Sequence, residues 1–150
     1  MAVEIETYIH RHAFILSDDP SRVDIGAVAS LLSDTDWMGG STPDQIRTSL
    51  ENTHLYALFA PDGSLAGCVS VLSDRVFNAR LSNLLIVPEH RARGLGRWIM
   101  ATLLYSSRFK NVQTWQLIAD DAQNLYRRFS FELFEGDGEF MTLRRGKHDG

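Results

Sequence analysis

The run Arg91-Ala92-Arg93-Gly94-Leu95-Gly96, extended by Arg97, is the part of this chain best suited to chemistry. An apolar run from Leu84 to Val87 and a proline precede it, and a helical pattern follows. A loop between a strand and a helix N-terminus presents outward N–H groups and the positive end of the helix dipole. Glycines let backbone approach a bulky anion, and arginines add fixed positive charge. The segment is therefore a candidate cradle for a phosphate or pyrophosphate. It is not a Walker A loop, which needs Gly-x-x-x-x-Gly-Lys-Ser/Thr. It fails the dinucleotide fingerprint too, because Ile99 stands where the third glycine is required.

Other reactive residue types are scattered. His10 and His12 are expected on one strand face, but no third ligand has suitable spacing, so no metal is expected. Cys68 lies in an apolar run and reads as buried filler rather than a nucleophile. Asp74, Glu89 and His90 are the acid–base candidates near the loop in sequence. Glu89 and His90 read as solvated loop residues and Asp74 as the cap of a turn. Trp37 and Met38, in an apolar link before Gly39-Gly40, either pack in the core or line a ligand cleft.

The elements that would position these residues follow from periodicity. Tyr8 to Leu16 reads as a strand. Ile25, Val28, Ala29 and Leu32 fall at helical spacing within 23–32. Thr42-Pro43 opens a second helix over roughly 43–52, with Thr42 as N-cap and Pro43 in the first turn. Leu55 to Ala60 and Leu65 to Leu72 form a hairpin about Pro61-Asp62-Gly63. Arg80 to Val87 is the next strand, with Ser82, Leu84 and Ile86 on one face and Asn83, Leu85 and Val87 on the other. After the loop, Leu95, Ile99 and Leu103 share a helix face. Thr114 to Ala119 is a strand, and Ala122, Leu125, Tyr126 and Phe129 mark a short helix. Two strands, 131–135 and 139–144, are expected to close the fold around Gly136-Asp137-Gly138. The pattern specifies an α/β domain, mixed in order, with helices packed on a sheet.

The chain has 150 residues, 44% hydrophobic and 23% charged, which fits one domain over 1–150 with a polar tail from about 145. Its net charge of −4 argues against a nucleic-acid partner. No apolar run approaches the ~18 residues of a membrane span, and the N-terminus lacks a secretory h-region. With a single cysteine there is no internal disulfide, and a cytoplasmic location is expected.

With these residues in view, the chain resembles the GNAT superfamily of acyl-CoA-dependent N-acetyltransferases. The family signature Arg/Gln-x-x-Gly-x-Gly/Ala is matched by Arg91 to Gly96. A second family pattern, Ala-x-x-Leu-Tyr-x-x-x-Gly-Phe, is matched by Ala122 to Phe131, except that Ser130 stands for the glycine. Many members also carry an asparagine seven residues before the tyrosine; here that position is Ala119.

The resemblance implies a mostly antiparallel mixed sheet that splays between its fourth and fifth strands, with acetyl-CoA in the cleft. Arg91, Ala92, Arg93, Gly94, Leu95, Gly96 and Arg97 would hold the pyrophosphate. Leu84, Leu85 and Ile86 would pair with the pantetheine amides as a strand would. Tyr126 would be the general acid toward the departing thiolate. The reaction implied is transfer of an acetyl group to a primary amine, of a small molecule in the first instance. A protein N-acetyltransferase and a non-catalytic acyl-CoA-binding module are the alternatives. The general base and the acceptor are not readable, and apolar edges leave room for a homodimer.

Overall fold

The computed structural model describes residues 4–118, 123–134 and 141–145. The chain forms two compact units, 1–120 and 121–150. The first holds a six-stranded sheet of β1 (Thr7–Ile9), β2 (Ile15–Ser17), β3 (His54–Phe59), β4 (Leu65–Ser73), β5 (Asn78–Ile86) and β6 (Thr114–Gln116), in that spatial order. Every neighbouring pair is antiparallel except β5–β6, which is parallel. Helices α1 (Ile25–Ser33), α2 (Pro43–Glu51) and α3 (Leu95–Leu104) pack on it.

The helices start where local chemistry allows. Asp24 accepts the Ala27 N–H and opens α1. Thr42 and Gln45 form a reciprocal capping box at α2, with Pro43 in its first turn. Val28, Ala29 and Leu32 of α1 and Ile46 and Leu50 of α2 share one core cluster with Leu55, Ala57 and Cys68 of the sheet. By strand alternation Tyr56 and Leu58 turn to the opposite face. Leu95, Ile99, Met100 and Leu103 of α3 are all buried.

The expected first strand is two strands, joined by a turn at His10–Ala13 in which His10 N–H donates to Phe14 O and Ala13 N–H to His10 O, both at 2.8 Å. Ala13 has φ 67°, a left-handed conformation that neither glycine nor asparagine announces. His10 and His12 therefore belong to a turn rather than share a strand face. The extra strand also makes the strand before the loop fifth in chain order.

Alternation along that strand fails at Asn83. Ser82 pairs with Ser70 but Leu85 with Cys68, so two residues of β5 oppose Val69 alone. Asn83 has φ 58° and sits in this bulge. Leu81 is buried, whereas every residue from Ser82 to Ile86 is half-buried, so neither expected face is cleanly inward.

The second unit contains α4 (Gln123–Arg127). The closing hairpin has no strand in its described parts, 131–134 and 141–145; residues 135–140 lie outside them. Leu133, Phe134, Met141 and Leu143 are exposed, so no apolar face is buried to sustain a ladder there.

Candidate functional site

β5 and β6 pair only at one end, through Asn78–Thr114, Ala79–Trp115 and Arg80–Gln116. Among the described residues no strand pairs with Leu81–Ile86 on the side away from β4. The bulge falls in this open stretch. Leu84, Leu85 and Ile86 thus lie on a half-buried strand segment with one free edge, and Leu85 also packs against the α1/α2 cluster.

Gly67 explains how β5 is held there. A Cβ on Gly67 would lie 2.2 Å from Leu85 O and 3.2 Å from the Leu85 carbonyl carbon. Only glycine permits that backbone approach beside the bulge. On the α1/α2 face the Asn83 side chain bridges two elements. Its Nδ2 donates to Ser70 Oγ (3.1 Å), and its Oδ1 accepts the indole Nε1–H of Trp37 (3.0 Å). Trp37 remains 56% exposed, whereas Met38 packs against the core cluster. Of the two residues of the apolar link, Met38 thus packs against the core, whereas Trp37 stays largely exposed beside Asn83.

At the end of β5 the chain passes through a single 3-10 turn, Pro88–His90, into the glycine loop. Arg91 is exposed, and its Nε donates to Ile86 O at 2.8 Å, tying the loop to the strand end. Ala92 (φ 63°) and Gly94 (φ 76°) are both left-handed. Gly94 is the N-cap of α3, and no side chain caps the helix. The first intrahelical bond is Trp98 N–H to Gly94 O, so the amides of Leu95, Gly96 and Arg97 point out of the helix start. Nothing lies within 4 Å of a Cβ built on Gly94. The glycine is there for its backbone angle, and open space surrounds it. Leu95 is buried, so only its amide is available to a ligand, while Arg93 and Arg97 are exposed.

Tyr126 belongs to the second unit. Phe131 N–H donates to Tyr126 O (3.3 Å) and Ser130 N–H to Arg127 O (3.0 Å), with Ser130 at φ 69°. This is a Schellman ending with serine at the position where glycine is usual. The Tyr126 and Phe131 rings meet edge-on at 6.1 Å, the apolar contact that accompanies such an ending. Burial raises the Tyr126 phenol above its ordinary value, so it keeps its proton through neutral pH. Ala119 lies outside the described residues.

The remaining candidates sort by their surroundings. Asp74 Oδ1 accepts the N–H groups of Val76, Phe77 and Asn78 at 2.9, 2.8 and 3.1 Å, which lowers its pKa and commits it to the β4–β5 turn. Glu89 is exposed, but His90 is half-buried with its ring 5.2 Å from that of Phe14, not a solvated loop residue. Cys68 is fully buried, and burial pushes its thiol up to about 12. No group of three or more His, Cys, Asp or Glu among the described residues is arranged to hold a metal. No helix among them is long and apolar enough to cross a membrane.

Sequence reading missed three features: the bulge, the close approach at Gly67 and the Trp37–Asn83 bond. An asparagine inside an apolar strand, opposite a strand that contains glycine, was the available signal.

Comparison with known proteins converges on one family. A family model for the acetyltransferase (GNAT) domain matches residues 51–133. The chain is 32% identical over 75 residues to the uncharacterized N-acetyltransferase ycf52 of Gracilaria tenuistipitata var. liui; the match covers 49% of this chain but only 41% of that protein. The crystal structure of a GNAT-family protein from Xanthomonas campestris pv. campestris superposes with a TM-score of 0.80 at 26% identity, covering 88% of this chain and 93% of that one. A Clostridium acetobutylicum protein solved with acetyl-CoA shares the fold, with a TM-score of 0.62 at 9% identity over 94% of this chain and 96% of that one. With its two motifs, its splayed sheet and its glycine loop at an uncapped helix start, the chain belongs to the GNAT acetyltransferase family.

Proposed function

We propose that this protein is an N-acetyltransferase that moves an acetyl group from acetyl-CoA to the primary amine of a small molecule. The reading is carried by the uncapped α3 N-terminus standing at the end of a strand whose outer edge is open beside a bulge. That arrangement suits a ligand with an anionic middle and an amide-bearing arm. The amides of Leu95, Gly96 and Arg97 would bind the pyrophosphate, together with Arg91, Ala92, Arg93 and Gly94 of the loop. The free edge of Leu84–Ile86 would pair with the pantetheine amides.

An amide N–H exposed by the bulge would donate to the thioester oxygen as negative charge develops there. The neutral amine forms the new C–N bond at the carbonyl carbon, the C–S bond breaks, the thiolate takes the Tyr126 phenolic proton, and the proton released by the amine nitrogen passes to water, from which the Tyr126 phenolate is reprotonated. The raised Tyr126 pKa keeps that proton available at neutral pH.

The test is release of free CoA thiol from acetyl-CoA with a broad panel of amines. Turnover with a small amine, and a Tyr126→Phe variant with much lower kcat but little change in acetyl-CoA affinity, are the expected results. If no amine supports turnover while acetyl-CoA still raises Tm, the chain is an acyl-CoA-binding module instead. Turnover on peptides alone would replace the small-molecule acceptor with a protein one. Unchanged kcat in Tyr126→Phe would return the tyrosine to a packing role.

A further inference from the structure

The bulge leaves Asn83 and Leu84 between two register pairs, Ser70–Ser82 and Cys68–Leu85. Side chains of β4 hold the carbonyls on either side of the Asn83 α-carbon. Ser70 Oγ donates to Ser82 O at 3.2 Å, and Cys68 Sγ donates to Asn83 O at 3.4 Å. Both side chains are buried, and burial keeps the Cys68 thiol protonated. No peptide bond among the described residues is cis, and a trans peptide points its N–H opposite its C=O. With those two carbonyls turned to β4, the N–H groups of Asn83 and Leu84 turn away from it. They face the stretch of edge that no described strand covers. The left-handed turn at Asn83 thus sets two successive amides side by side, as in a main-chain nest for negative charge.

The Ser82 carbonyl also ends a longer chain of hydrogen bonds, and its direction is fixed. An indole N–H can only donate, so the Asn83 amide oxygen faces Trp37 Nε1 at 3.0 Å. The Asn83 amide nitrogen must then donate to Ser70 Oγ, at 3.1 Å. Ser70 Oγ, having accepted, directs its own proton to Ser82 O. The chain from Trp37 through Asn83 and Ser70 therefore ends on the peptide that carries the Asn83 N–H. Hydrogen bonds in series polarise one another. Donation to a peptide carbonyl draws electrons from its nitrogen, which makes the N–H of that peptide a stronger donor. Trp37 is exposed, Asn83 half-buried and Ser70 buried, so the chain runs from the surface into the sheet. Strand pairing is a main-chain matter and needs none of these three side chains.

We infer that Trp37, Asn83 and Ser70 are positioning residues that aim and strengthen the Asn83 N–H as a donor to the oxygen of an acyl thioester. That role rests on the acetyl-CoA reading and deepens it. The reading requires an amide at the bulge; the side-chain relay sets the direction and donor strength of that amide.

Isotope-edited infrared spectroscopy of acetyl-CoA, labelled with carbon-13 at the thioester carbonyl, reads the polarisation of that bond and needs no acceptor. In the native protein the bound carbonyl band should lie at lower frequency than in free acetyl-CoA. Trp37→Phe keeps a ring but removes the N–H. Ser70→Ala removes the last link. Asn83→Gly removes the side chain while suiting the left-handed backbone. Each should return the band part of the way to its free position. With an amine that supports turnover, each should lower kcat about three- to tenfold with little change in KM for acetyl-CoA, short of the ~100-fold or more lost with an oxyanion donor outright. Ser73→Ala is the control. Ser73 Oγ donates to Asn78 O at 2.6 Å, on the same two strands but outside the open stretch, and its loss should leave the band in place. A purely structural role would lower Tm and the bound fraction without moving the band of the acetyl-CoA that stays bound. A bound band at the free position, or a shifted band that all three variants leave in place, overturns the positioning role alone. No bound band in the native protein defeats the acetyl-CoA reading itself, and the positioning role with it.

Discussion

Replacing Arg108 by methionine tests how the far end of the α3 segment is fixed. The Arg108 side chain is 4% exposed, and those of Glu6 and Asp18 are 8% and 12% exposed. Its Nη1 donates to the Asp18 carboxylate and to Tyr56 Oη (2.9 Å), and its Nη2 to Glu4 O (2.6 Å). Glu6 in turn accepts the Tyr56 hydroxyl at 2.5 Å and the Tyr8 hydroxyl at 2.7 Å. Burial, and then Glu6, push both phenols above their ordinary range.

Methionine fills similar space but leaves two buried carboxylates facing each other with no cation. Breaking such a pair from one side costs about 3–5 kcal/mol. Against a total of roughly 5–15 kcal/mol that is a severe loss. At about 2–4 °C per kcal/mol for a chain of this size, Tm should fall by about 6–20 °C. Urea unfolding followed by far-ultraviolet circular dichroism measures it. A triple variant that also carries Glu6→Gln and Asp18→Asn should recover part of the loss, because the amides keep acceptors for the hydroxyls without the charge. A loss below about 1 kcal/mol for Arg108→Met is what a solvated surface pair gives, and would refute the buried cluster.

Gly67→Ala should destabilise by about 1–3 kcal/mol, through overpacking against the Leu85 carbonyl, and weaken coenzyme A binding with it; denaturation and calorimetry on one preparation check both. Ser130→Gly should relieve about 1 kcal/mol of left-handed strain, read as slower amide exchange across 123–131. Stability should fall on acidification. His10 and His54 have pKa values lowered chiefly by burial, so the unfolded chain binds more protons and the stability they contribute is lost as pH drops below about 6.5. Asp19, Asp62 and Asp74, lowered mainly by hydrogen bonds from N–H and hydroxyl groups, add a second loss below about pH 4. Urea midpoints at pH 7, 5 and 3 should decrease in that order.

The parts of this molecule legible in its sequence are those specified by neighbours in the chain. Thr42-Pro43 and Gln45 write their own helix start, and Gly94 its own left-handed cap. The Pro61–Gly63 turn is equally local, with Gly63 at φ 88°. What escapes is set by distant contacts or by backbone angles the residue type does not advertise. Ala13 turns left-handed and divides one expected strand into two. Asn83 is held by Trp37, 46 positions away, and nothing in the local pattern marks the strand slip beside it. The Arg108 cluster joins residues about 100 positions apart, so its members read singly as ordinary surface charges. Within the candidate site, the loop amides are therefore readable, while the bulge and the close approach at Gly67 require the fold.

Among the described residues the outer edge of β5 is unpaired from Leu81 to Ile86, which has a consequence for handling the protein. Leu81 to Ile86 offers a row of main-chain donors and acceptors to whatever arrives first. A bound pantetheine arm would satisfy that row. In its absence another polypeptide could add as a strand, which makes the ligand-free protein the sticky form. Concentrating it without coenzyme A should promote strand-to-strand self-association. Bound coenzyme A would then guard against aggregation, and light scattering with and without it would reveal the difference.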